Sequence, residues 1–366
     1  MKMKTYIYAI LGLTIVSGLT FSSCDPNKPN NEGVIEVTSD ITEPTTWSGD
    51  KIYVIKKFDF IVEAELTIEP GAIIKLHPNY KTITIAQGGK ILARGTASSP
   101  IVFTSFKDDT SGGDTNGDGG ITTPAVGDWQ SIDINGTSGS EFIYCKFLYG
   151  GFGLNPSPTL DLSTGGSSAK IENCTFANNG GGKNGSFYVG VLHADNAANS
   201  TIIRNNTFYN NVLPLTINAE IDIDNSNTFS YQSFTNTYNS IFVFGNIDKN
   251  TSWGETEVAF VITSENMQVG VGKTLTLANS VVLKFLENGQ LTLLSGESSL
   301  INYNGSGVFY TSFKDDDLKG DSNGDGTSSV PATADWTGIY LDNWDKTVGW
   351  AQWENIRYNN PNATVK

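Results

Sequence analysis

A 26-residue segment running from Thr104 to Trp129 returns without a gap from Thr311 to Trp336, 207 residues further on. Ile132 and Ile339 extend the match past its end. The segment is polar and rich in Asp and Gly, the composition of a loop. Short apolar runs flank it in both copies. Leu66-Thr-Ile68 corresponds to Leu275-Thr-Leu277, Ala72-Ile-Ile-Lys-Leu76 to Val281-Val-Leu-Lys-Phe285, and Trp47 to Trp253. A duplication that preserves a long loop together with its flanking strands demands a fold built by repetition.

The flanking runs carry the periodicity of strands. Ile52–Ile55, Glu65–Ile68, Ala72–Leu76, Thr82–Ile85 and Ile101–Thr104 are rich in β-branched residues, and Gly, Asn, Pro and Ser punctuate them. Strands of about four residues joined by sharp turns are expected. Between the two copies lies a second repeat. Ala169-Lys-Ile-Glu-Asn-Cys-Thr-Phe-Ala-Asn-Asn179 is followed by Thr201-Ile-Ile-Arg-Asn-Asn-Thr-Phe-Tyr-Asn-Asn211, with echoes at 141–147 and 224–229. The pattern resembles the right-handed parallel β-helix repeats of bacterial secreted proteins and lipoproteins. That resemblance implies an all-β solenoid in which phenylalanines stack inward and asparagines ladder at the bends.

The core of the duplicated loop, Asp114-Thr-Asn116-Gly-Asp118-Gly119, reappears as Asp321-Ser-Asn323-Gly-Asp325-Gly326. It resembles the first half of EF-hand, dockerin and thrombospondin-type calcium loops. Ca²⁺ takes six to eight oxygen ligands, and alternate Asp and Asn side chains on a tightly turning backbone converge on one point. The twelfth loop position is Ala125 or Ala332, so the bidentate Glu of the EF-hand is missing. The closing carboxylates are sought among Asp108, Asp109 and Asp128 in the first copy, and among Asp315, Asp316 and Asp335 in the second.

The N-terminus combines Lys2 and Lys4, an apolar run from Tyr6 to Phe21, and Ser22-Ser23-Cys24. This is the layout of a secretion signal, and its end resembles a bacterial lipobox that places lipid on Cys24, with Phe21 standing where Leu is usual. The expected organisation is a leader over 1–24, a flexible tether over 25–45, a first β-helix unit over 46–250 and a shorter second unit over 251–366. The Asp-rich loops occupy 107–128 and 314–335. The resemblance implies a cell-envelope lipoprotein, lipid-anchored at the outer membrane or cell surface of a Gram-negative bacterium.

The formal net charge is −15, which argues against a nucleic-acid partner. Cys145 and Cys174 share an x-Cys-x-Phe setting and read as buried apolar residues on neighbouring coils. Together with His77 and His193 they lack zinc spacing. The leading expectation is therefore a calcium-stabilised, non-catalytic adhesion or glycan-binding surface protein. Trp344, Trp350 and Trp353 are candidate glycan contacts, although solenoids also need aromatic residues to close their ends. The competing class is a β-helix polysaccharide lyase or glycoside hydrolase. Arg94, Arg204 and Arg357 do not adjoin an acidic loop in sequence, and Lys107 reads as a local partner of Asp108 and Asp109.

Overall fold

The computed structural model describes residues 33–78, 82–152, 155–295 and 298–363. Cys24 and the expected leader lie outside the described residues. Among those described, every regular element is a β-strand, and nearly every pairing is parallel. The chain is a parallel β-helix. Three faces wind through its first part. A seven-stranded sheet begins with Val34–Val37, Ile52–Ile55, Ile73–Leu76 and Ile101–Ser105, and ends with Cys145–Leu148, Thr175–Ala177 and Thr207–Tyr209. A ten-stranded sheet runs from Asp59–Val62 to Phe309–Ser312, and a six-stranded sheet from Thr45–Trp47 to Ile202–Arg204.

Alternation along each short strand sends one set of side chains inward. The inward phenylalanines form a continuous pile: Phe103, Phe147, Phe176, Phe208 and Phe229 stack with centroid separations of 5.2, 4.6, 5.0 and 5.3 Å. These spacings follow the roughly 4.8 Å rise between paired strands. Two ladders of buried amides fix the bends beside the pile. Asn179, Asn211 and Asn236 form one, each accepting from the backbone N–H of the preceding coil. Cys174, Asn206 and Asn227 form the other in the same way. Cys145 and Cys174 are free and buried, so Cys174 fills a rung that asparagine fills on the next coil. Asn178 and Asn210, one residue before the first ladder's rungs, take φ of 58° and 54°, a left-handed conformation that Asn tolerates better than most residues.

Two boundaries differ from the expected ones. Residues 33–45, assigned to the tether, already belong to the solenoid: Val34–Val37 pairs with Ile52–Ile55, and Ile41 bridges Val62. There is also no break at residue 250, because the ten-stranded sheet passes through it, pairing Ser240–Phe244 with Ala259–Ile262. The two copies nevertheless use different faces. Ile73–Leu76 and Ile101–Ser105 lie in the seven-stranded sheet, whereas their counterparts Val282–Phe285 and Phe309–Ser312 lie in the ten-stranded one. The second copy is thus turned by one face relative to the first.

The last coil is closed by an antiparallel hairpin, Gly338–Trp344 with Thr347–Trp350. Trp353 packs on Tyr303 and Tyr310, Trp344 meets Tyr303 and Trp353 edge-on, and Trp350 meets Tyr340. All three tryptophans are half-buried, in keeping with a cap over the apolar end.

Candidate metal centres in the duplicated loops

Each Asp-rich loop leaves the end of one strand and folds back over the outside of the sheet it came from. In the first copy the strand is Ile101–Ser105 and the surface covered is the outer side of Ile52–Ile55 and Ile73–Leu76. A Cβ on Gly112 would come within 2.7 Å of the Ile52 side chain, so glycine permits this approach. In the second copy Gly324 lies against Tyr238 and Thr237, and Lys319 donates to the Thr256 carbonyl.

The carboxylates divide into two groups. One oxygen from each of Asp109, Asp114 and Asp118 lies within 4.8 Å of the other two, and Asp316, Asp321 and Asp325 repeat the arrangement. Asp114 holds the turn by accepting from Gly117 at 2.7 Å and from Gly119 at 2.8 Å; Asp321 does the same with Gly324 and Gly326. Asn116 donates to Asp118 at 3.0 Å, as Asn323 does to Asp325. Asp118 is held below the usual carboxylate range, chiefly by the Thr122 hydroxyl. Burial, then the charges of Asp114 and Asp118, push Asp109 up; burial, then Asp321, push Asp316 up. One oxygen of each, Oδ1, is buried and has no hydrogen-bond partner among the described residues.

Asp108, Asp128, Asp315 and Asp335 are not brought to these points. Asp108 is buried, accepting from Thr104 at 2.7 Å and from Thr110. Asp128 accepts from Ser105 at 2.6 Å and pairs with Lys107 at 2.7 Å. Asp315 accepts from Thr311, and Asp335 from Ser312 and Lys314. These four staple the loop to its strand, so Lys107 pairs with Asp128 across the loop rather than with its sequence neighbours. Just beyond, Trp129 and Trp336 are buried and donate their indole N–H to Leu148 and Arg357 carbonyls at 2.8 and 2.7 Å.

Lys75 and Lys284 also belong to the site. Each points outward from its strand yet is fully buried, because the loop lies on it. The Lys75 ammonium donates to the carbonyls of Asp108 at 2.9 Å and Gly113 at 2.8 Å, and Lys284 donates to Gly320 at 2.8 Å. Burial brings Lys284 down to about 8 against the pull of Asp316, Asp315 and Asp321. The sequence signal was present: a lysine inside the otherwise apolar Ala72–Leu76 run, repeated in Val281–Phe285.

Residues 39–152, which hold the first copy and its loop, match the family model of the pectate-lyase like beta helix domain. The comparisons with curated proteins and with solved structures gave no match. Among the described residues, no helix is long and apolar enough to cross a membrane.

Proposed function

We propose that this chain is an extracytoplasmic β-helix lipoprotein, anchored through lipid on Cys24 at the outer membrane or cell surface, which binds Ca²⁺ in two loops and contacts glycans without transforming them. One observation carries the calcium reading: twice in the chain, three carboxylates converge and one of them keeps a buried oxygen without a donor. A buried charge without a partner is costly, and three like charges this close repel. A hard divalent cation removes both penalties at once, using oxygen ligands of the kind it prefers. Asp109, Asp114 and Asp118 would hold the first ion, with Asn116 beside them; Asp316, Asp321, Asp325 and Asn323 would hold the second.

The cations beside the loops support a non-catalytic reading. Lys75 and Lys284 are spent on main-chain carbonyls, and Lys107 and Lys314 on Asp128 and Asp335, so a proton-abstracting base is not on offer there. A different group favours the enzymatic alternative. Asp133, Asp161, His193 and Thr216 align on adjacent strands of the ten-stranded sheet, with His193 3.4 Å from Asp195. Burial raises Asp133 to about 6, a range suited to a general acid. Polysaccharide cleavage that falls in Asp133→Asn but not in Asp118→Ala would favour that alternative. Calorimetric titration tests the leading reading: uptake of two calcium ions supports it, and no uptake at millimolar calcium removes it.

A further inference from the structure

The end-cap tryptophans Trp344, Trp350 and Trp353 are engaged with Tyr303, Tyr310 and Tyr340 in closing the solenoid. A better-formed surface lies on the outer side of the seven-stranded sheet, past the edge of the first loop. Two adjoining cavities of about 330 and 280 Å³ open there, and Lys146 and Thr175 line both. The second is floored by Thr207 and walled by Tyr209 and Tyr231, whose rings lie 5.0 Å apart at 34°. Tyr231 is 51 % exposed.

The register makes this surface a regular array. Lys146, Thr175 and Thr207 are direct partners on successive strands, and Thr228 bridges Thr207, with its hydroxyl donating at 3.1 Å. Alternation directs them all outward, opposite the phenylalanine pile. Lys146 is exposed and forms no salt bridge among the described residues, although the chain carries a net charge of −15. A cation, a row of hydroxyls and a pair of tyrosine faces form a set of complementary features. Hydroxyls exchange hydrogen bonds with sugar hydroxyls, tyrosine presents an apolar face with a polar rim, and the unneutralised ammonium selects a negative substituent.

We infer that the groove over Lys146, Thr175, Thr207, Tyr209 and Tyr231 is a binding site for a linear oligosaccharide carrying an anionic group, carboxylate or sulfate. This rests on the glycan-contact reading but not on calcium. No member of the Asp109–Asp114–Asp118 cluster lines the groove, and the ligand is held rather than cleaved. The oligomer lies along the solenoid axis, its rings on the tyrosines and its charge on Lys146.

The test is fluorescence anisotropy on the full chain with three labelled hexasaccharides: an α-1,4-linked galacturonan, a sulfated galactan and a neutral β-1,4-glucan. The parent should bind at least one anionic probe more tightly than the neutral one, and still do so in chelator below its melting temperature. Tyr209→Ala and Tyr231→Ala should each weaken binding about tenfold. Lys146→Gln should erase the preference for the anionic probe. All three side chains are outward-facing, so melting curves matching the parent will show that the fold is kept. Unchanged affinity in the three variants overturns the groove, as does loss of binding in Trp350→Ala alone, which would return the site to the cap. Failure of the parent to bind any of the three probes overturns the groove and the glycan reading together. Binding that vanishes in chelator refutes the calcium-independent site while leaving the glycan reading standing.

Discussion

Lys75 reaches outward from its strand to the main-chain carbonyl of Gly113 at 2.8 Å, and Lys284 repeats the contact with Gly320, the residue equivalent to Gly113. The ammonium therefore fastens the loop from beneath while offsetting part of its negative charge. Lys284→Met keeps most of the buried stem and removes both effects. Loss of one charge-assisted hydrogen bond costs about 1.5–3 kcal/mol, and the acidic loop then lies over an apolar floor. The second loop of this variant should be cut faster by protease in chelator, with protection regained in calcium. Cleavage rates equal to the parent would show that the lysine does not hold the loop.

The division of carboxylates predicts unequal variants. Asp109→Asn and Asp118→Ala should each reduce calorimetric uptake from two ions to one and remove the first loop's share of calcium-induced thermal stabilisation. Asp128→Asn should leave the stoichiometry at two, because Asp128 serves Lys107 and Ser105. Its cost should be in calcium-free stability, about 1–3 kcal/mol for a half-lost buried pair. If Asp128→Asn also removes an ion, the ligand set drawn above is incomplete.

Glu255 is buried, its Oε1 accepts from the N–H groups of Thr256 and Glu257, and its Oε2 has no partner among the described residues. Burial raises it from the ordinary 4.5 to about 7. The folded state therefore holds this proton more firmly than the unfolded chain does. The associated stability is complete below about pH 4.5 and is lost as pH climbs through 7. Glu255→Gln should melt near the parent at pH 4 and several degrees higher at pH 8, the difference being at most about 3 kcal/mol. A melting difference that does not widen with pH would rule out Glu255 as its source.

Asn211 sits in the middle of an amide ladder. It donates to the Phe176 carbonyl at 2.9 Å and to Asn236, and accepts from Asn179. Asn211→Ala strands several buried polar groups on two neighbouring coils. The expected loss is about 2–4 kcal/mol from the unsatisfied groups, read by urea denaturation. Asn210→Ala, at the exposed neighbouring position, should cost less than Asn211→Ala. Its cost arises from the left-handed φ of 54° and from the exposed hydrogen bond that its amide donates to Asn178. Equal losses at the two positions would mean that the ladder adds nothing.

The strands were legible because a buried inner face leaves a period of two in even a four-residue run. Ile52–Ile55, Glu65–Ile68 and Thr82–Ile85 form where their sequences place them. The ladder was legible from paired asparagines at constant distance from a phenylalanine. Lys75 was harder, since alternation makes an outward lysine look solvated. Only a loop 33 residues later, folding back over it, buries the ammonium. The choice between Asp108 and Asp109 was equally closed to inspection, because neighbours on a turn point to opposite sides and spacing alone does not say which is which.

The change of face between the copies gives the duplication a directional meaning. Identical motifs at one azimuth would present both loops to the same flat partner, and two weak contacts would then reinforce each other on a single surface. Here one loop rests on the seven-stranded sheet and the other on the ten-stranded sheet. A plane laid against the first does not coincide with the plane of the second. The duplication thus repeats the loop on a second side of the solenoid instead of doubling it on one.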